Sequence, residues 1–256
     1  MRGRYGCLVD LAYGPSPGER LDLFPVPAAQ RGDTRAPLVA FIHGGYWQSL
    51  DKGDFGYLAP ALLDRGIAFA SLNYDLAPRA GIPDMVAQIR RALAWLYDAA
   101  AQYGIDRERI FVAGHSAGGH LAATALDRAW TAEHDLPEDA VKGGLSISGV
   151  YDLEPMRLSY HQSVLQLDAD TVEDYSPLRC LPRNAGPLLL AVGADETREF
   201  LLQQQAFAAA WRGAGLRAAE VDMPGRHHFD AVDAMGEPDH PLFAALLRLV
   251  ETQEID

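Results

Sequence analysis

Apolar residues in this chain come in short runs, spaced by stretches that are either polar or helically patterned. Residues 8–13 and 21–24 flank Gly14-Pro15-Ser16-Pro17-Gly18, a pattern that predicts two short strands joined by a turn at the edge of a sheet. Six further runs, at 38–42, 67–72, 110–113, 145–148, 188–192 and 218–223, are apolar or β-branched, as expected of strands covered on both faces in a parallel sheet. Helical segments separate most of them. After Pro83-Asp84, the residues Val86, Ile89, Leu93, Leu96 and Ala100 recur at steps of three and four, one stripe of a helix that Gly104 ends. Residues 202–211 and 241–250 predict two more helices, the last with Asp239 as its N-cap and Pro241 in its first turn. Strands alternating with helices imply an α/β fold: a single domain with a mostly parallel central sheet and helices on both faces. Residues 149–186 break the alternation, mixing Tyr151, Met156, Tyr160, Leu165 and Tyr175 with acids and prolines. A long insertion of this kind is expected to form a small cap, over about 150–186.

The run at 110–113 leads into Gly114-His115-Ser116-Ala117-Gly118 and then into a small-residue helical stretch at 119–126. Strand, sharp turn and helix in that order raise a serine hydroxyl for nucleophilic attack, and the glycines leave room where strand and helix cross. Ser116 is therefore the candidate nucleophile. His43-Gly44-Gly45 follows another strand, so the backbone N–H groups of Gly44 and Gly45, with that of Ala117, are candidate donors to a transition-state oxyanion. His43 itself reads as a buried side chain that stabilises the turn.

Ser116 also needs a base, and the base an acid to orient it. His227-His228-Phe229 lies just beyond the last strand; His228 is the candidate base and His227 its neighbour in the same loop. Gly193-Ala194-Asp195-Glu196 follows the strand at 188–192 and offers two carboxylates, Glu196 and Asp195, either of which can accept from His228. Asp152 is a weaker third candidate that reads as a turn cap. His115 and His120 stand too close to Ser116 along the chain to reach its hydroxyl from the correct side, and read as core residues. His134, His161 and His240 lie in polar context and carry no signal.

Composition narrows the partners. With 256 residues, 48% of them hydrophobic and 22% charged, the chain is ordinary globular material, and its net charge of -13 disfavours nucleic acid or an anionic membrane surface. A small-molecule substrate fits better. Cys7 and Cys180 form no CxxC pair, so reduced thiols are expected, with no metal and no cofactor implied. Residues 1–20 hold Arg2, Arg4, Asp10 and the Gly/Pro turn rather than an apolar leader, and no run of 18 apolar residues occurs, so a cytoplasmic location is expected. A monomer and a homodimer both stay open.

With these residues in hand, the chain resembles the kynurenine formamidase (arylformamidase) family of α/β-hydrolase-fold serine hydrolases. The matching pieces are His43-Gly44-Gly45-Tyr46-Trp47-Gln48, Asn73-Tyr74-Asp75-Leu76-Ala77-Pro78, Gly114-His115-Ser116-Ala117-Gly118-Gly119-His120, residues 192–200 and His228-Phe229, which together span almost the whole chain. Tyr46-Trp47 is the distinctive piece, because many hormone-sensitive-lipase-like esterases carry a third glycine where this chain has Tyr46. The resemblance implies an α/β-hydrolase fold, supports Glu196 over Asp195 as the acid, and implies N-formyl-L-kynurenine as substrate, with formate and kynurenine as products. A bulky Tyr46 beside the oxyanion loop would admit a formyl group and exclude long acyl chains. Trp47, and cap aromatics such as Tyr151 or Tyr160, are candidates to stack on the substrate ring. A small-acyl carboxylesterase with the same machinery is the first competing reading. A non-catalytic binding protein on the same scaffold is the second, and the full set of nucleophile, base, acid and glycines argues against it.

Overall fold

Eight short strands, apolar enough to be covered on both sides, line up in one sheet: β1 (Leu8–Ala12), β2 (Arg20–Phe24), β3 (Ala36–Ile42), β4 (Ala68–Leu72), β5 (Ile105–His115), β6 (Gly144–Ile147), β7 (Leu188–Gly193) and β8 (Ala218–Met223). This computed structural model describes residues 5–255, so Arg2 and Arg4 lie outside the described residues. The spatial order is β1-β2-β4-β3-β5-β6-β7-β8. β1 and β2 pair antiparallel, as does β2 with β4, and every later pairing is parallel. All of β3 and β4 is buried, which explains their continuous apolar sequence. β5 begins earlier than the apolar run at 110–113, because Ile105 pairs with Ala36 across a register shift and carries the polar residues after it into the strand. Only a non-local pairing makes that stretch β.

The helices are α1 (Ala28–Arg31), α2 (Ala59–Leu63), α3 (Ile82–Ala99), α4 (Ala117–Ala125), α5 (Glu154–Arg157), α6 (Gln162–Leu165), α7 (Ala169–Tyr175), α8 (Arg198–Gly213) and α9 (Pro241–Thr252). The stripe Val86, Ile89, Leu93 and Leu96 of α3 is buried, and each of these side chains contributes roughly 1.5–3 kcal/mol by leaving water. A short 3-10 turn continues α3 to Gly104, whose left-handed backbone (φ 70°) stops it. α3 packs on α4, and α2 and α9 meet around the 3-10 segment Ala231–Gly236 on the other side of the sheet. α9 is capped by His240 rather than Asp239: Pro241 is the first helical residue, so the cap falls at His240, whose Nδ1 accepts from the Leu242 N–H at 3.0 Å. Residues 149–186 hold α5, α6 and α7, three short helices instead of one regular element.

The strand order places the site. From β3 the chain crosses to β4 on one side, and from β5 it crosses to β6 on the other, so the loops leaving the carboxyl ends of β3 and β5 diverge and open a crevice between them. The loops after β3, β5, β7 and β8 carry the residues singled out by sequence.

Candidate active site

Strand β5 ends at His115 and α4 begins at Ala117, leaving Ser116 alone to make the turn, at φ 57° and ψ -120°. Such a backbone is strained for a residue with a side chain and is held by its surroundings: the Ser116 N–H donates to the Ile147 carbonyl at 2.9 Å and its carbonyl accepts from the His120 N–H at 3.1 Å. The crossing is as tight as the glycines suggest. A Cβ on Gly114 would lie 2.0 Å from the Gly118 carbonyl oxygen, and one on Gly118 would lie 2.0 Å from the Ile42 carbonyl oxygen. No side chain fits either position, so α4 can press its first turn against the end of β3.

That contact brings the two loops together. A Cβ on Gly44 would stand 3.0 Å from Ser116 Cβ, so the His43-Gly44-Gly45 backbone lies directly beside the serine. Ala117 is the first residue of α4, and its N–H is among the helix donors with no partner inside the helix. The loop after β3 is held from behind. His43 is fully buried and stacks on Tyr74 at 4.6 Å, with its Nδ1 2.8 Å from the Gly44 carbonyl oxygen and its Nε2 3.0 Å from Asn73 Oδ1, so the one N–H of the ring donates to one or the other. Burial lowers its pKa and keeps it neutral. Asn73 Oδ1 accepts from the Lys52 N–H at 3.1 Å, and the Tyr74 hydroxyl donates to the His43 carbonyl at 3.0 Å.

His228, in the loop after β8, reaches the serine: the Ser116 hydroxyl and His228 Nε2 are 3.0 Å apart. On its other side, Nδ1–H donates to Glu196 Oε2 at 2.7 Å. Glu196 follows β7, and its Oε1 accepts from the Gly193 N–H at 2.9 Å and from the Ser148 hydroxyl. Burial alone would raise the pKa of this carboxyl, but the hydrogen bonds from His228, Ser148 and Gly193 outweigh it and hold Glu196 below the usual range. It is ionised at neutral pH. Asp195 is exposed to solvent. His227 is also exposed and pairs with Asp230 at 3.3 Å. Of the two adjacent carboxylates and the two adjacent imidazoles, the structure brings Glu196 and His228 to Ser116.

Other side chains pack around the relay. His115 is buried, its Nε2–H donates to the His228 carbonyl at 2.8 Å, and its ring lies 4.8 Å from that of His228. Burial, and then the nearby His228, depress its pKa to about 3. His120 donates to the Tyr175 carbonyl at 2.7 Å and is lowered by burial to about 4, so both histidines stay neutral core residues. Phe200 stacks on the His228 ring at 4.4 Å, and Phe229 meets its edge at 5.7 Å. Ser148, at the end of β6, is a signal that a local pattern cannot carry, since only the fold sets its hydroxyl against Glu196.

The aromatic expectations divide. Tyr46 is half-buried and stacks on His161 at 4.3 Å, while Gln48 Nε2 donates to His161 Nδ1 at 2.7 Å, so the segment around α6 leans on the oxyanion loop. Tyr160 flanks the same histidine and is 81% exposed. Trp47 is corrected: it is 0% exposed and packs against the edge of His120, leaving no face for a substrate. Tyr151 is corrected likewise, being 0% exposed, stacked on Phe207 and hydrogen-bonded to Ser146 at 2.8 Å. Asp152 does cap a turn, accepting from the Glu154 N–H at 3.0 Å and pairing with Arg179. Among the described residues no group of three or more His, Cys, Asp or Glu side chains is placed to hold a metal ion, and no helix is long and apolar enough to cross a membrane.

Fold and site together define the class: this is an α/β hydrolase. The family profile described as BD-FAE matches residues 21–197. A protein named kynurenine formamidase from Danio rerio is 32% identical over 95% of this chain and 82% of its own length. Esterase LipQ from Mycobacterium tuberculosis is 29% identical over 86% of this chain and 56% of its own length. The crystal structure of a Silicibacter sp. protein, described as a thioesterase candidate, superposes with a TM-score of 0.79 at 32% identity, covering 93% of this chain and 84% of that one. The chain belongs to the BD-FAE family and, on the α/β-hydrolase fold, to the kynurenine formamidase group.

Proposed function

We propose that this enzyme cleaves the formamide of N-formyl-L-kynurenine, releasing formate and L-kynurenine, with Ser116 as nucleophile, His228 as base and Glu196 as acid. The observation that carries the reading is the unbroken relay from Ser116 Oγ to His228 at 3.0 Å and from His228 to Glu196 at 2.7 Å, in a chain similar to kynurenine formamidases. His228 Nε2 takes the hydroxyl proton as Ser116 Oγ attacks the formyl carbon. The tetrahedral oxyanion forms beside the N–H groups of Gly44, Gly45 and Ala117, each such donor being worth roughly a hundredfold or more in rate. His228 then gives its proton to the departing aryl amine, and a water deprotonated by the same imidazole releases formate from the serine. Glu196 remains ionised throughout, fixing the Nδ1–H tautomer and stabilising the imidazolium.

Tyr46 forms the acyl-side wall. A formyl group carries only hydrogen beyond its carbonyl carbon, so it needs no space there, whereas longer acyl chains meet the tyrosine. Residues 150–186 form a cap that belongs to the same single domain, with His161 its point of contact on the oxyanion loop. The enzyme is proposed to be cytoplasmic, and its net charge of -13 supports action on a small molecule without nucleic acid or an anionic membrane surface as partner. As a homodimer the chain would elute at twice its own mass in size exclusion, and as a monomer at that mass.

The likeness to an esterase favours one competing reading, a small-acyl carboxylesterase with the same triad. Turnover of N-formyl-L-kynurenine and of p-nitrophenyl acetate, each measured for the wild type and for Ser116→Ala, separates the two. Efficient ester cleavage with negligible formamide cleavage would defeat the formamidase reading, and activity retained by the alanine variant would defeat the nucleophile.

A further inference from the structure

We propose that Ser148 is a positioning residue of this reaction, acting through Glu196 to aim one carboxylate oxygen at His228. The proposal rests on the Ser116–His228–Glu196 relay. Ser148 is buried at the carboxyl end of β6, its N–H donates to the Ala191 carbonyl at 2.7 Å, and its hydroxyl donates to Glu196 Oε1. The Gly193 N–H donates to the same oxygen at 2.9 Å. With both donors on Oε1, Oε2 is left to accept from His228 alone. The terminal torsion of a glutamate is soft and roughly two-fold, so one donor leaves the carboxylate free to rock and two do not.

A second observation points the same way. Ser148 adopts φ 51°, the left-handed region, where glycine is relaxed and serine is strained. Nothing in the turn itself calls for a hydroxymethyl group. The side chain is useful there only for the hydrogen bond it makes.

The remaining titratable groups around the pair are His115, whose ring faces His228, and Tyr46 and Tyr151, which feel the Glu196 charge. His115 is neutral with a pKa of about 3, and burial raises both tyrosines, so none of the three changes charge between pH 5 and 9. The acid limb of a kcat/KM profile in that range reports the His228–Glu196 pair, and the same profile taken on His227→Ala separates the exposed imidazole next to it in the loop.

Ser148→Gly removes the hydroxyl and suits the left-handed backbone, so it separates chemistry from folding. Loss of a hydrogen bond to a buried carboxylate should lower kcat/KM roughly 10- to 100-fold through kcat, with KM little changed. Glu196, with one donor fewer, becomes more basic and a stronger partner for the imidazolium, so the acid limb should move up by about half a pH unit or more. Ser148→Cys, which keeps a weak donor, should fall between Ser148→Gly and the wild type, and both variants should still show a cooperative thermal melt. Rates are read with both N-formyl-L-kynurenine and p-nitrophenyl acetate, so the outcome does not depend on the leaving group. Ser148→Gly with a wild-type rate, or slowed with its acid limb unmoved, would overturn the proposal while Ser116→Ala stays inactive. Residual turnover by Ser116→Ala would instead remove the relay beneath it.

Discussion

Replacing Glu196 by Gln tests the relay most sharply, because the structure dictates which way the amide must turn. Oε1 of Glu196 accepts from the Gly193 N–H at 2.9 Å, and a backbone N–H in that turn cannot reverse. The glutamine oxygen therefore has to face Gly193, which puts its NH2 group against His228 Nδ1, where Oε2 now sits at 2.7 Å. Two donors cannot face each other, so the ring must shift its proton to Nε2 and lose the lone pair that Ser116 needs at 3.0 Å. A triad locked in the wrong tautomer loses about 10⁴-fold in kcat, or about 5.5 kcal/mol of transition-state stabilisation. Substrate contacts are untouched, so KM should change little. The same size and a similar set of donors should keep the variant folded in a thermal melt. Asp195→Asn supplies the contrast: its carboxylate is exposed, so kynurenine release followed by absorbance should stay within about twofold of wild type, as is usual for surface changes. A Glu196→Gln variant that keeps more than about a tenth of wild-type kcat, or an Asp195→Asn variant that loses more than it does, would refute the reasoning.

Three further outcomes are expected. His228→Ala should abolish turnover while His227→Ala, altering an exposed ring, should leave kcat within about twofold, and steady-state rates of the two variants would expose a reversed assignment. Tyr46→Ala should open the acyl side and raise the ratio of p-nitrophenyl butyrate to acetate turnover by about tenfold or more, the worth of a methylene or two in an apolar slot; an unchanged ratio would mean Tyr46 does not limit the acyl group. Stability should fall in mild acid. His115 and His120 are held neutral in the fold, with pKa values of about 3 and about 4, whereas in the unfolded chain they titrate near the ordinary 6.5. The unfolded state therefore gains protons first as pH drops below 6.5, and the loss continues until the folded values are reached. At pH 5 this amounts to about 2 kcal/mol for each residue. Urea unfolding at pH 7.5 and pH 5, with His120→Gln as the less sensitive control, measures it.

How far the sequence reached depended on whether a signal was local. Strand and helix identities were legible because burial on two faces, or on one helical stripe, imposes a period on neighbouring residues; Val86, Ile89, Leu93 and Leu96 carry theirs in plain view. The elbow at Ser116 was legible for the same kind of reason, since a crossing that tolerates no Cβ at Gly114 or Gly118 leaves only glycine. The start of β5 was not, because Ile105 enters the sheet only through its pairing with Ala36, ahead of the apolar run at 110–113 and across a register shift. Trp47 and Tyr151 were misplaced because an aromatic in a loop looks alike whether it faces a ligand or the core, and here both rings are in the core.

By itself, the sequence made legible the α/β alternation, the elbow at Ser116 and the order in which the candidate acid and base follow it, all of which depend on residues adjacent in the chain. Sequence and family resemblance favoured Glu196 over Asp195 and His228 over His227, but only the tertiary structure shows Glu196 and His228 in line with Ser116 while Asp195 and His227 face solvent. Neighbours in a loop point in different directions, and which of them faces the serine is set by distant groups: the Ser148 hydroxyl on Glu196, and the His115 ring on the His228 carbonyl. Those contacts join β6 to the loop after β7 and β5 to the loop after β8, and no pattern along the chain records them.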